Sequence, residues 1–276
     1  MTERLEAYTG VAGLMTAREA DFVLQEAVRA APTSTRLVGL GVLMTRATLR
    51  GEPKVNHPNR YPQRGIVFDI FSAHPRALNL IHFSADTPPT NDELLELIDV
   101  GGEACNGFQF NVSWPSDKAL TLVEDRFDKA HGTAPRIVLQ VDPSAIVDET
   151  ALTRMRLAAQ LDQKLVTDLL LDGSGGRGKP LDFDLMVRAI ETLSRLFEPS
   201  LDGPLIGIAG GLNATRVRDI RREIVDYKHW SHGAAHLAGL HSLDAESGVR
   251  AVPEDTLDTF AVSEYFEAAA EVFPHG

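Results

Sequence analysis

The chain has 276 residues, 43% of them hydrophobic and 24% charged, a composition that suits a folded domain with material for a sizeable core. Its 27 Lys and Arg against 39 Asp and Glu leave a formal charge of −12, so no basic field exists to draw nucleic acid or anionic lipid, and an anionic ligand must rely on local donors. The single cysteine, Cys105, excludes an internal disulfide framework and a cysteine zinc cluster and suits the reducing cytoplasm; no apolar run is long enough for a membrane helix, and "MTERLEAYTG" lacks a signal-peptide pattern.

Residues 17–31 place Ala20, Phe22, Val23, Leu24, Ala27 and Val28 at helical spacing behind Thr16, a suitable cap. We read residues 1–35 as a helical extension packed on a single domain that spans 1–276. From there a short apolar run, a polar turn and an amphipathic stretch recur. The expected strands are "RLVGLGVLM" from Arg36, "GIVFDIF" from Gly65, "LNLIHFSA" from Leu78, "GFQFNV" from Gly107, "RIVLQV" from Arg136, "VTDLLLD" from Val166, "LIGIAGG" from Leu205 and "HLAGLHSLDA" from His236. The expected helices between them are "NDELLELIDV", "SDKALTLVEDRFDKA", "ETALTRMRLAAQLDQ", "DFDLMVRAIETLSRLF" and "NATRVRDIRREIVDY", with "EDTLDTFAVSEYFEAAAEVF" closing the chain.

Such alternation predicts right-handed βαβ units and a parallel sheet, and eight units in about 250 residues predict an α/β fold of the (β/α)₈ TIM-barrel type. An open doubly wound sheet is the alternative, but no G-x-G-x-x-G follows the first expected strand. The first third is irregular: "TRATLRGEPKVNHPNRYPQR" reads as a long loop, and a loop of that length in a compact domain implies a use for it.

In such a barrel the residues at the strands' C-terminal ends face the site. Reading them off gives Asp69, Ser84, Asp86, Asn111, Asp142, Asp172, Gly210, Gly211, Asp244, Ser247 and Gly248. Carboxyls crowded around one mouth raise one another's proton affinity, which suits general acid–base work, although a lone strand-end aspartate more often caps a turn. The glycines that follow Asp172, the Gly210-Gly211 pair before Asn213 and the Ser247-Gly248 turn provide bare amides where a phosphate would sit. The histidines show no metal-ligand spacing, so no metal site is expected; His82 could point into the barrel, where a structural role is the more frequent one. Trp114 and Trp230 are read as packing residues.

"LLLDGSGGRGKPLDFD", "IAGGLNATRV" and "LDAESGVR" resemble, in order and spacing, the three C-terminal signatures of the phosphoribosylanthranilate isomerase family, and "GFQFN" falls where that family carries its fourth-strand Val-Gln-Leu-His segment. The resemblance covers residues 105–270. It implies a barrel that isomerises a phosphoribosyl amine by acid–base chemistry with no cofactor and no metal. Asp172 would be the general acid and Gly175 and Gly176 part of a loop over the substrate. Gly210, Gly211, Ser247 and Gly248 would hold the phosphate, Asp244 would contact the substrate near its amine, and Gln109 and Asn111 would line the pocket. The chain departs from the family in lacking the cysteine base of the first-strand Lys-Ile-Cys-Gly-Ile-Thr motif, which has no counterpart in "LGVLMT". Asp142 or Asp69 would have to supply the base. Arg76 is a possible match to the family's carboxylate-gripping arginine, and Glu246 stands where the family has serine.

The expectation is therefore an isomerase-like barrel enzyme, or one catalysing a related lyase step, on a small phosphorylated sugar or sugar-amine, cytoplasmic and without nucleic-acid or membrane partners. An inactive barrel that binds a sugar phosphate as a sensor or assembly subunit is the alternative.

Overall fold

The structure is a computed structural model that describes residues 6–147, 165–173, 182–196, 203–225 and 240–273. Eight parallel strands close into a barrel in sequence order: β1 (Tyr8–Ala12), β2 (Leu37–Thr45), β3 (Ala77–Ala85), β4 (Gly107–Val112), β5 (Arg136–Val141), β6 (Asp168–Leu171), β7 (Leu205–Ala209) and β8 (Leu240–Ala245). The closing pair sets Gly10 of β1 beside Asp244 of β8. Around the strands run α1 (Ala17–Ala30), the short α2 (Arg46–Leu49) and α3 (Val67–Ile70), α4 (Asn91–Gly101), α5 (Asp117–His131), α6 (Pro143–Val147), α7 (Phe183–Leu196), α8 (Ala214–Ile220) and α9 (Thr259–Val272). Among the described residues no helix is long and apolar enough to cross a membrane.

Local chemistry sets the helix starts. Thr16, Ser116, Asn213 and Asp258 each accept a backbone N–H of the first turn, and Thr90 with Glu93 forms a reciprocal capping box before α4. At the far end of α5, Gly132 takes the left-handed conformation (φ 71°) that terminates a helix most easily as glycine. Helix α9 packs on α1, and Arg29 of α1 reaches Glu267 of α9 at 2.9 Å.

Two expectations change here. The segment 1–35 is not an appendage, because Tyr8–Ala12 is β1 and α1 is the crossover to β2. "GIVFDIF" is not a strand: Arg64–Ile66 is a 3₁₀ turn and Val67–Ile70 is α3, packed between α1 and α4. Its apolar residues serve an outer layer, with Val67 and Ile70 buried and Ile66 and Phe68 exposed. A short, nearly continuous apolar run fits a short helix equally well.

The strand interior alternates as a pleat demands. On β5, Arg136, Val138 and Gln140 share the inward face; on β6, Asp168 and Leu170 do, and Asp172 follows in the same phase. Arg136 and Asp168 form a buried two-pronged ion pair at 2.5 and 2.7 Å near the N-terminal end of the barrel. Above them Leu78, Leu80, Val138 and Leu170 pack with Tyr8 and Ala209. The β1–β2 side is built from glycine so that large groups opposite can fit. A side-chain carbon added at Gly10 would lie 2.9 Å from Asp244 Oδ1, and one at Gly41 would lie 2.7 Å from His82 Cε1 and Nε2.

Candidate active site

The C-terminal ends of the strands surround an open pocket lined by His82, Gln109, Asn111, Gln140, Asp172, Ala209, Gly210, Gly211, Asp244, Glu246 and Ser247. Pleat and register put them there: His82 is level with Gln109 across the β3–β4 pair, and Asp172 follows directly on β6. Asp172, Asp244, Gln109 and His82 are all buried, so the polar groups of the mouth are held in the barrel and not on its surface loops.

Each group is set differently. Asp172 accepts a short hydrogen bond from Gln140 Nε2, and Trp114 Nε1 donates at 3.0 Å to the Gln140 carbonyl, fixing that strand end. Asp244 has its carboxyl pushed up to about 8, first by burial, then by the charges of Glu246 and Asp172; a bond from Gln109 opposes the rise. His82 lies 3.8 Å from Asp244 through Nδ1, and burial pushes it down to about 3, so the ring is neutral near pH 7. Glu246, partly buried at the rim, is raised by burial, with Arg60 opposing.

Arg60 comes from the long 46–77 loop. Its Nη1 donates to Glu246 at 2.7 Å, its Nε donates to Asp255 at 2.7 and 2.9 Å, and its Nη2 lies 2.6 Å from the same carboxylate. Arg250 ties the same loop down from beneath, donating to the carbonyls of Gly13, Asn59 and Asp255. The loop thus joins the end of β1 to the segment after β8, which gives its length a use. Glu246 does not turn away from the cavity; it is held in the wall by a neutralising partner.

Gly210 and Gly211 have φ of 101° and 62°, a conformation that bends the chain after β7 and leaves its amides bare. Ser247 lines the cavity beside them, whereas Gly248 serves a neighbouring purpose. A side-chain carbon at Gly248 would run into the Leu212 carbonyl oxygen, so only glycine lets the β8 loop lie against the β7 loop.

Most of the expected site residues converge: Asp172, Asp244, Gly210, Gly211, Ser247, Gln109 and Asn111 all line the cavity. Asp142 does not. Its Oδ1 accepts the Ser144 N–H at 2.8 Å and the Ser144 hydroxyl at 2.7 Å, capping α6 from an exposed position. Asp69 lies on α3, exposed and away from the mouth. Arg76 precedes β3 and binds the carbonyls of Arg36 and Ala31 at the opposite end of the barrel. Cys105, before β4, is buried with its thiol pushed up to about 12 by burial. Gly175, Gly176 and Trp230 lie outside the described residues.

The first-strand comparison also moves. "LGVLMT" belongs to β2, while β1 ends at Val11-Ala12 and runs on into Gly13-Leu14, a stretch that likewise has no cysteine. Gln140 and Arg60 were not expected from the sequence, whereas Glu246 was expected beside the phosphate and does line the cavity. Gln140 was visible in principle, two residues after Val138 on the inward face of β5.

No family model matches the chain, and no curated protein matches its sequence. Solved structures do match. KGPDC from Streptococcus mutans aligns with a TM-score of 0.51 at 9% identity, over 98% of this chain and 100% of that one. Tryptophan synthase subunit alpha from Legionella pneumophila str. Paris gives 0.52 at 7%, over 98% and 94%. Triosephosphate isomerase from Bartonella henselae gives 0.52 at 8%, over 98% and 100%. At these identities the likeness is one of fold: a closed (β/α)₈ barrel.

Proposed function

We propose that the chain is a barrel enzyme that isomerises, or cleaves by a related lyase step, a small phosphorylated sugar or sugar-amine through acid–base catalysis at the mouth. The observation that carries this reading is the pair Asp172 and Asp244, which reach one cavity from β6 and β8 with the charge of one raising the proton affinity of the other. A carboxyl that burial and neighbouring charge keep protonated, beside a second carboxyl, is a usual means of holding an acid and a base together near neutral pH.

The roles divide differently from those the family resemblance implies. Asp244 keeps its proton and is the donor, protonating the sugar oxygen that leaves the ring or the carbonyl oxygen of the open form. Asp172, oriented by Gln140, is the acceptor that removes the C2 proton. The electron pair of the broken C2–H bond forms the enol or enamine, and reprotonation at C1 completes the transfer. The amides of Gly210 and Gly211 and the Ser247 hydroxyl hold the phosphate at the β7 and β8 loops, where barrels of this kind often bind it. Arg60 offsets Glu246 nearby, which lessens the repulsion a dianion would meet there.

The end of β1 offers Ala12 and Gly13, neither able to move a proton, and this favours a second reading: a binder without turnover. Asp172→Asn separates the two. In an enzyme the change lowers turnover by about two to four orders of magnitude with ligand affinity largely kept. In a binder there is no turnover to lose.

A further inference from the structure

His82 has no task in the steps assigned to Asp172 and Asp244, although it lines the same cavity. Its ring is 3% exposed and its Nδ1 lies 3.8 Å from Asp244 Oδ2, while no hydrogen bond ties either ring nitrogen to another described residue. The approach spans two strands, because His82 stands on β3 and Asp244 on β8 with β1 and β2 between them. Glycine clears the path. A side-chain carbon at Gly41 of β2 would lie 2.7 Å from the imidazole, and one at Gly10 of β1 would lie 2.9 Å from Asp244 Oδ1. A polar ring carried this far into the barrel with no hydrogen bond is costly unless a ligand or a reaction step uses it.

Isomerisation offers such a step. When an aldose becomes a ketose, its C2 hydroxyl loses a proton as C1 gains one, and Asp172 is then engaged in delivering the proton to C1. We propose that His82 is a second catalytic base of the mouth, taking the C2 hydroxyl proton and passing it to Asp244. This deepens the isomerase reading above and rests on it.

Asp244 first gives its proton to the carbonyl oxygen of the open aldose while Asp172 removes the proton on C2. The C2–H pair becomes the C1=C2 bond, and the carbonyl π pair becomes the new O–H bond. Asp172 then returns its proton to C1, the C2 O–H bond breaks toward a His82 nitrogen, and its pair completes the C2 carbonyl. The imidazolium hands that proton to the Asp244 carboxylate, which restores both side chains. For a sugar-amine the first proton goes to the departing ring oxygen and the later transfers are the same. Burial keeps the resting ring neutral and the resting Asp244 protonated. Once Asp244 has given up its proton, its charge 3.8 Å away favours the imidazolium, so the ring gains basicity at the point in the cycle that requires it.

The test compares loss of the sugar C2 proton with ketose formation, both followed by NMR in D₂O near neutral pH. The substrates are phosphorylated aldoses and sugar-amines, ribose 5-phosphate and glucose 6-phosphate among them, and the proteins are the parent, His82→Asn and His82→Gln. In both variants C2 exchange should stay within about threefold of the parent, since Asp172 and Asp244 are intact, while ketose formation falls by about two orders of magnitude. Melting curves establish that the variants fold. If neither does, His82→Ala with added imidazole decides: restored ketose formation supports the relay, and none overturns it. Unchanged ketose formation in a folded variant means that Asp244 recovers its proton unaided, and equal falls in exchange and ketose formation mean that the ring only packs. Either result overturns the relay and leaves the proposed function standing. A parent that neither exchanges the C2 proton nor forms a ketose with any of these sugars overturns the proposed function, and the relay with it.

Discussion

Arg60 Nη1 donates to Glu246 Oε1 at 2.7 Å, joining two residues 186 positions apart and setting a paired carboxylate in the cavity wall. Removing the cation leaves Glu246 partly buried near Asp172 and Asp244 with only the charge of Arg250 to offset it. Arg60→Met should cost about 2 kcal/mol of stability, in the range of charged hydrogen bonds, as measured by urea unfolding. Adding Glu246→Gln should restore part of that loss; strict additivity of the two changes would show that the pair is not coupled.

The carboxyls of the mouth are expected to differ sharply from Asp142. Asp172→Asn or Asp244→Asn should reduce turnover by about two to four orders of magnitude. Asp142→Asn should leave turnover intact, because that side chain caps α6 from an exposed position. A steep loss of activity in Asp142→Asn with unchanged stability would restore it as a candidate base.

Stability should depend on pH through Asp244 and His82, with opposite signs. Asp244 is raised on folding to about 8, so the folded state binds more protons than the unfolded one and stability falls as pH climbs toward 8. His82 is lowered to about 3, so its contribution rises with pH and is complete above the unfolded histidine value. The two oppose each other in acid, and the clear window lies between about pH 6.5 and 8, where Asp244 acts alone and the loss is at most about 2 kcal/mol. Denaturant midpoints across that window should fall for the parent and stay level for Asp244→Asn.

Gly248 holds the β8 loop against the β7 loop. Gly248→Ala forces the new carbon away from the Leu212 carbonyl oxygen and should cost roughly 1–3 kcal/mol. It should also weaken sugar-phosphate binding by displacing Ser247 from Gly210 and Gly211, which titration of a phosphorylated sugar would detect.

The barrel was legible where strands are long or end in glycine. β2 and β3, at nine residues each, and the Gly210-Gly211 end of β7 stand out in the sequence. β1 was hidden because its five residues are all buried and show no alternation. It lies in a segment whose strongest signal is the amphipathic α1. The site was legible at β4, β6, β7 and β8, where a polar residue or bare amide ends an apolar run. Arg60 was not legible, because a loop's path over the surface depends on tertiary ion pairs and not on local pattern. Asp142 shows the converse: period 2 aims it inward with Gln140, but the strand ends at Val141 and the next residue turns to cap a helix.

Proton transfer at the mouth is read out by incubating the protein with phosphorylated aldoses and amino sugars in D₂O and following the sugar C2 proton by NMR. That signal should be lost with one of these sugars and should persist when Asp172→Asn replaces the parent, if Asp172 removes the C2 proton. Persistence with every sugar, or loss at an equal rate in Asp172→Asn, would contradict it.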